Sequence, residues 1–282
     1  MTDKEMQEQQ TALQEGMRIK AIELGYNPDD LEPVYDGVVD INKYLRSSPR
    51  LMWVLKEPYD DFDEDGNPYG GGWTILADLP PGESLAAVVR RNPTFRNVAW
   101  ASFSIKHDGV LYENLPWIQD DPTVADALLE VAYVNVSKMP GRSRTDPTTL
   151  LNLYESWKPV LFKQIDLYKP DVMIFCGTIT LQCFAKDMGL DLSVPEQSFR
   201  HGQSVVDVHH WQGKRIVRRC LHDRSRNIRL RIIVPRAIFL SNREIYESVI
   251  FGIVSQVKKR IWIATADSKD VYVETDGRDV NS

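Results

Sequence analysis

The side chains that could do chemistry in this 282-residue sequence follow its apolar segments. Glu57 comes just after the apolar run 51–55, with Lys56 before it, and Asn135 lies near the end of a second run, 131–136. A carboxylate can stabilise a cationic centre or orient a water molecule, and a carboxamide can hydrogen-bond to the edge of a polar ring. Together these groups are suited to holding a polar base and breaking its bond to a sugar.

Continuous apolar segments predict the strands that would carry these groups. They cover residues 51–55, 131–136 and 171–176. Unbroken apolar runs are typical of strands buried on both faces of a parallel sheet. Strands that alternate with helices predict an α/β fold of three layers, α/β/α, around a central and mostly parallel sheet. In such a sheet, ligands bind beyond the carboxyl ends of the strands, where Lys56, Glu57 and Asn135 fall.

Local signals place further elements around this sheet. Asp146-Pro147 is a typical helix start, because Asp can cap free amides and Pro suits the first helical position. That helix should stop at Lys169-Pro170, and Pro159 is expected to weaken its continuity. Other expected helices cover residues 3–24, 84–91, 94–104, 178–188 and 242–260. Other expected strands cover residues 204–210, 215–221 and 230–234. A turn at Gln212-Gly213 is expected to join strands 204–210 and 215–221.

Composition favours one domain for residues 1–262, with the helix at 3–24 packed on it, followed by an acidic and flexible tail at 263–282. No apolar run approaches the roughly 18 residues of a membrane span. The three cysteines are odd in number and form no CxxC pair, which is typical of the reducing cytoplasm. We therefore expect a cytoplasmic monomer that does not bind a membrane.

The distribution of charge is more informative than the net charge of -6. Between Lys214 and Arg236 there are nine Lys or Arg residues and one acid, Asp223. A local basic strip on an acidic protein can follow the phosphates of a nucleic acid. The alternative is a solvated hairpin with scattered arginines.

Three segments resemble the uracil-DNA glycosylase superfamily. The first is VLKEPY at 54–59, which is similar to the family's first motif, a buried strand followed by a Gln-Asp-Pro-Tyr-type turn. The second runs from AYVNVSKMPG to IFCG at 132–177 and resembles the middle of the iron–sulfur branch. The third, VPRAIFLSNREIYESV at 234–249, resembles the closing His-Pro-Ser segment and its helix. On this match Glu57 stands where the family has its catalytic Asp, Tyr59 where a Tyr walls the pocket, and Asn135 where an Asn reads the base edge.

The departures from the family pattern bear on the substrate. Met139 and Trp157 stand where the branch has two cluster cysteines, so no iron–sulfur cluster is predicted and no other cofactor is expected. Val234 stands where the closing His should be, and Glu replaces Asp at position 57. The resemblance implies a uracil-DNA glycosylase-like fold and a monofunctional DNA glycosylase. The altered base-side motif points to a damaged or modified pyrimidine, such as a substituted cytosine of foreign DNA.

The resemblance and the charge pattern together give a set of expected contacts. Residues expected near the base, besides the catalytic Glu57, are Lys56, Tyr59, Gly72, Trp73 and Asn135. Residues expected to bind the DNA backbone are Lys138, Arg142, Arg144, Arg218 and Arg236, with Phe239 as an apolar wedge that helps to flip the base. The glycines at 70–72 would let the backbone approach a ligand or base closely.

Other interpretations of these residues stay open at this point. Glu57 could cap a helix or pair with Lys56, Asn135 could be a turn residue, and Tyr59 could belong to the core. The protein as a whole could bind DNA or a nucleotide without cutting it, or could act on a small N-glycoside.

Two groups of residues in the sequence could be considered as metal ligands from their type and spacing. The acidic segment that starts at Asp61 resembles a calcium loop, but Gly72 stands where a bidentate Glu is needed. The spacing of His209, His210, Cys220 and His222 fits no standard zinc finger. No metal site is predicted.

Overall fold

The computed structural model describes residues 1–58, 69–76, 79–107, 114–141, 145–201 and 204–221. The strands are β1 (Gly37–Val38), β2 (Leu51–Leu55), β3 (Val131–Asn135), β4 (Val172–Phe175), β5 (Gln197–His201), β6 (Ser204–Trp211) and β7 (Lys214–Leu221). The helices are α1 (Asp3–Glu23), α2 (Ile41–Arg46), α3 (Leu85–Arg91), α4 (Pro93–Lys106), α5 (Thr123–Asp126), α6 (Pro147–Tyr168) and α7 (Thr178–Met188), and a 3-10 turn (Ala127–Glu130) links α5 to β3.

The seven strands form one mixed sheet in the order β1-β3-β2-β4-β7-β6-β5. The four central strands β3, β2, β4 and β7 run parallel, and β1, β6 and β5 are antiparallel to their neighbours. Leu55 pairs with Asn135, so β2 and β3 end side by side. The predicted α/β fold with a central, mostly parallel sheet is confirmed.

Alternation along the strands explains why the apolar runs are unbroken. Successive side chains of a strand point to opposite faces of the sheet. Leu51, Trp53 and Leu55 pack into a core cluster on the face that α3, α4 and α5 cover. Met52 and Val54 pack into the cluster on the opposite face, which includes residues of α1, α2, α6 and α7. Both faces of β2 are therefore buried, as the sequence predicted.

The start of α6 follows the predicted capping chemistry. The Asp146 side chain accepts a hydrogen bond of 2.7 Å from the Thr149 amide, and Pro147 occupies the first turn. The helix continues through Pro159 to Tyr168, so the expected weakening at the proline does not end it. Lys169 terminates it in the left-handed region, with φ of 47°.

The hairpin of β6 and β7 is confirmed around the predicted turn. Gln212 and Gly213 both have positive φ, as a two-residue hairpin turn requires. Strand β5, which pairs with β6 at the edge of the sheet, was not predicted. The expected strand 230–234, helix 242–260 and tail 263–282 lie outside the described residues. Within the described part of the chain, no helix has the length and apolar character needed to cross a membrane.

The amino-terminal helix is fastened to the outermost strand by one side chain. The Gln10 Nε2 donates to the Val38 carbonyl, and the Gln10 Oε1 accepts from the Val38 amide, both at 3.1 Å. Gln10 is itself buried. The carboxamide therefore satisfies both backbone groups of Val38.

A buried histidine in β6 should make stability depend on pH. His209 is 4% exposed, and its Nε2 has no hydrogen-bond partner among the described residues. Burial, and secondly the nearby Arg218 cation, lower its pKa below the usual 6.5. Below pH 6.5 the unfolded chain is therefore protonated at His209 more readily than the folded chain is. The contribution of neutral His209 to the free energy of unfolding is fully present above pH 6.5 and is lost as the pH falls through that value.

We expect His209→Gln to flatten the decline of the unfolding free energy between pH 7.5 and 5.5, by at most about 1.4 kcal/mol per pH unit. Urea denaturation at a series of pH values measures this. His210→Gln is the control, because His210 is exposed and pairs with Glu196. Equal slopes for wild type and His209→Gln would contradict the assignment.

Candidate active site at the carboxyl edge of the sheet

The chain segments that follow β2 and β3 run side by side beyond the sheet. The amide of Ser137 donates to the carbonyl of Lys56 at 3.2 Å, and the amide of Gly141 donates to the carbonyl of Pro58 at 2.8 Å. These bonds tie the two segments together beyond the last strand residues. Glu57 is therefore held between two backbone-bonded positions at the carboxyl edge, where ligands bind in this class of fold.

The Glu57 carboxylate is the most distinctive group at this edge. The residue is half-buried, and its Oε2 is shielded from solvent without a hydrogen-bond partner among the described residues. A buried acceptor left unpaired costs free energy, and native structures keep few of them. Glu57 caps none of the described helices, so the capping role loses support. Among the described residues, no group donates a hydrogen bond to its Oε2.

Asn135 is the last residue of β3 rather than a turn residue, and it is 3% exposed. Its backbone amide donates to Asp36 Oδ2 at 2.5 Å, and its side-chain Nδ2 donates to the same oxygen at 3.0 Å. A carboxylate can only accept, so Nδ2 must face Asp36. The orientation of the Asn135 carboxamide is thereby fixed.

A fully buried ionic network surrounds Asp36. The Lys138 Nζ lies 2.9 Å from both Asp36 carboxylate oxygens and 2.8 Å from the Gln164 Oε1. The Lys138 Nζ also donates to the Asn135 carbonyl at 2.8 Å. Gln164 in turn donates to Asp36 Oδ1 at 2.9 Å. Burial lowers the pKa of Lys138, and the attraction of Asp36 opposes that change.

Two residues expected to bind DNA lie in the interior instead. Lys138 is 0% exposed and is held by Asp36. Arg218 is 6% exposed, and its guanidinium donates to Asp207 at 2.7 Å and to the Leu192 carbonyl at 3.3 Å. Neither side chain reaches the surface, where a phosphate would lie. The predictions that Lys138 and Arg218 bind DNA are wrong, because each cation has a buried counter-ion.

The Lys56 side chain lies near Gly177, at the start of α7. Its Cε is 3.8 Å from the position that a Cβ would take on Gly177. The neighbouring Cys176 thiol is buried, and this burial raises its pKa to about 12, with a smaller opposing effect from Lys56. Cys176 is therefore an inert core thiol, while Lys56 brings a half-buried positive charge to the same edge.

The glycines at 70–72 approach the protein's own chain rather than a ligand. The Glu32 amide donates to the Gly70 carbonyl at 2.9 Å, and the Gly72 amide donates to the Pro33 carbonyl at 3.1 Å. A Cβ on Gly71 would lie 1.8 Å from the Glu32 carbonyl oxygen, and one on Gly72 would lie 2.5 Å from Glu32 Oε2. The close approach seen in the structure is to Glu32. Contact of Gly72 with a base stays a prediction.

Trp73 is half-buried and packs against the core cluster that α4 covers. Its role beside a base stays a prediction. Several predicted site residues lie outside the described residues, namely Tyr59, Arg142, Arg144, Arg236 and Phe239. The acidic segment 60–65, Val234 and the basic strip beyond residue 221 lie outside them as well. Among the described residues, no group of His, Cys, Asp and Glu is arranged to hold a metal ion.

Asp36, Gln164 and Gly141 are site residues that the sequence did not single out. Asp36 and Asn135 are 99 positions apart, and no local spacing links them.

No family model matches this chain, and no curated protein matches its sequence.

Removing the cation of the buried network should be costly. Lys138→Met leaves the Asp36 carboxylate buried without its counter-ion, and we expect the free energy of unfolding to fall by about 3–5 kcal/mol. Equilibrium urea denaturation measures this loss.

The matched control is Lys158→Met. Lys158 pairs with Glu155 and Asp187 at the surface of α6 and α7. Exposed pairs contribute about 0–1 kcal/mol, so this change should be nearly neutral. If Lys138→Met costs no more than Lys158→Met, the network does not stabilise the fold.

Proposed function

We propose that this protein is a monofunctional DNA glycosylase that hydrolyses the N-glycosidic bond of a flipped pyrimidine and leaves an abasic site. The observation that carries the proposal is the Glu57 Oε2, an unpaired and shielded acceptor among the described residues at the carboxyl edge of the sheet. The similarity of VLKEPY to the first motif of uracil-DNA glycosylases adds to it. Cleavage of the N-glycosidic bond develops positive charge on the sugar and negative charge on the base, and each of these charges assigns a role to the groups near it.

On the sugar side, Glu57 supplies the negative charge that the reaction needs. Breaking the bond builds positive charge on the sugar, which a neighbouring carboxylate stabilises. The same carboxylate can accept a proton from the attacking water. An acceptor that is already shielded from bulk solvent needs little reorganisation as the charge develops.

On the base side, the groups at this edge are Asn135 and Lys56. Asp36 holds the Asn135 carboxamide in one orientation, which is what recognition of a base edge requires. The base departs with negative charge, and Lys56 brings a half-buried positive charge to this edge. Val234 cannot donate a hydrogen bond, so Lys56 and backbone amides would serve the departing base instead of the expected His.

We further propose DNA as the partner and a modified pyrimidine of foreign DNA, such as a substituted cytosine, as the target. Because Lys138 and Arg218 are buried, we assign the phosphate contacts to Arg142, Arg144 and Arg236. Phe239 would be the apolar wedge that helps to flip the base. A cytoplasmic monomer fits this role. Cys176 and Cys183 are both free and buried, which agrees with a reducing compartment.

Glu57→Gln tests the central step. Duplexes that carry uracil, hypoxanthine or modified cytosines, and phage DNA, are incubated with the protein and then treated with alkali to cut abasic sites. We expect the wild type to produce strand breaks on at least one substrate and Glu57→Gln to lower the rate by at least about 10²-fold, because general acid–base catalysis is typically worth 10²–10⁴-fold.

The control variant is Glu155→Gln. Glu155 is an exposed acid on α6, so this variant should cut DNA at the wild-type rate. Breaks that persist in Glu57→Gln contradict the role of Glu57. Tight and salt-sensitive binding to DNA without breaks on any substrate would identify a binding protein instead. Free base released from nucleotides but not from DNA would identify a small-molecule N-glycosidase.

A further inference from the structure

Gly141 and the Glu57 side chain occupy the same small volume at the carboxyl edge. A Cβ added to Gly141 would lie 2.4 Å from Glu57 Cγ, 3.1 Å from its Cβ and 3.5 Å from its Cδ. The first of these distances is far below van der Waals contact between carbon atoms. The aliphatic part of Glu57 therefore lies directly on the α-carbon of Gly141.

The backbone around Gly141 does not demand a glycine for its own sake. Gly141 is absent from the glycines with positive φ, so an L-residue could adopt its conformation. Gly71 differs, because φ there is +76° and the obstacle to a Cβ is the backbone of Glu32. At position 141 the three atoms nearest to such a Cβ all belong to the side chain of Glu57.

The two chain segments cannot easily separate to make room. The Gly141 amide donates to the Pro58 carbonyl at 2.8 Å, and Pro58 follows Glu57 directly. A methyl group at position 141 would therefore displace the Glu57 side chain rather than the backbone. The carboxylate would move with it, away from the place where its Oε2 is shielded and unpaired.

From this contact we infer that Gly141 is a positioning residue, which sets where the Glu57 carboxylate stands relative to the sugar. The inference rests on the proposed glycosylase function. A misplacement of about 1 Å in a reacting group can cost on the order of 10²-fold in rate. Gly141→Ala should therefore slow the chemical step, while binding of DNA, which depends on other residues, should be unchanged.

The experiment combines kinetics with a double-mutant cycle in stability. Gly141→Ala is made in the wild type and in Glu57→Ala, which lacks Cγ and Cδ. We expect Gly141→Ala to lower the midpoint of thermal unfolding by a few degrees in the wild type and by clearly less in the Glu57→Ala background, since residues in contact are coupled. Under single-turnover conditions the rate of base release at saturating protein should fall by about 10²-fold with an unchanged half-saturation concentration. Gly16→Ala is the control, because a Cβ at that helical position would meet no atom within 4 Å apart from its chain neighbours and the backbone of its own helix.

Each outcome has a distinct meaning. Coupled stabilities with a slower chemical step support the inference. If Glu57→Gln abolishes cleavage but Gly141→Ala cuts at the wild-type rate, the positioning role is wrong and the proposed function stands. Equal losses of stability in both backgrounds would mean that Gly141→Ala acts by general distortion and would overturn the inference. If the wild type cleaves no substrate, the proposed function fails. Coupled stabilities would then show only that Gly141 packs against Glu57, and the positioning role would be overturned as well.

Discussion

The buried ion pair between Asp36 and Lys138 is the interaction on which the rest of the site depends. Placing two charges in a protein interior costs several kcal/mol for each, and the pair is stable only when its remaining hydrogen-bonding capacity is filled. Here Gln164 and Asn135 fill it. The network thus joins the segment before β1, the end of β3 and the C-terminal part of α6. Because Asn135 pairs with Leu55 in the neighbouring strand, this rigidity extends to the position of Glu57.

The sequence predicted the architecture better than it predicted the surroundings of charged side chains. Apolar runs located the central strands, and Asp146-Pro147 located the start of α6, because these signals are local. The burial of Lys138 depends on Asp36, 102 positions away, and no local pattern contains that information. Arg218 is a different case. Counting outward from the predicted Gln212-Gly213 turn places Asp207 opposite Arg218, which is the pairing that the structure has. Its counter-ion could therefore have been found from the sequence.

The glycines at 70–72 show what a run of glycines can and cannot predict about contacts. A glycine indicates that some group approaches the backbone closely, but it does not say which group. At Gly71 that group is the carbonyl of Glu32, and the contact fixes the segment 30–33 instead of a ligand. At Gly141, which the sequence did not single out, the approaching group is the proposed catalytic side chain. The same residue type thus serves architecture at one position and the candidate site at the other.

The carboxamide of Gln10 has a consequence for how the protein avoids associating with itself. Strand β1 is an outer edge of the sheet that the described strands form, and an edge strand with free backbone groups can recruit a strand from another molecule. The outward amide and carbonyl of Val38 are instead taken by Gln10, which imitates the backbone of a neighbouring strand. Helix α1 therefore acts as a cover for this edge. Its detachment would open a template for intermolecular β-pairing and would expose the core residues that α1 covers on that face of the sheet.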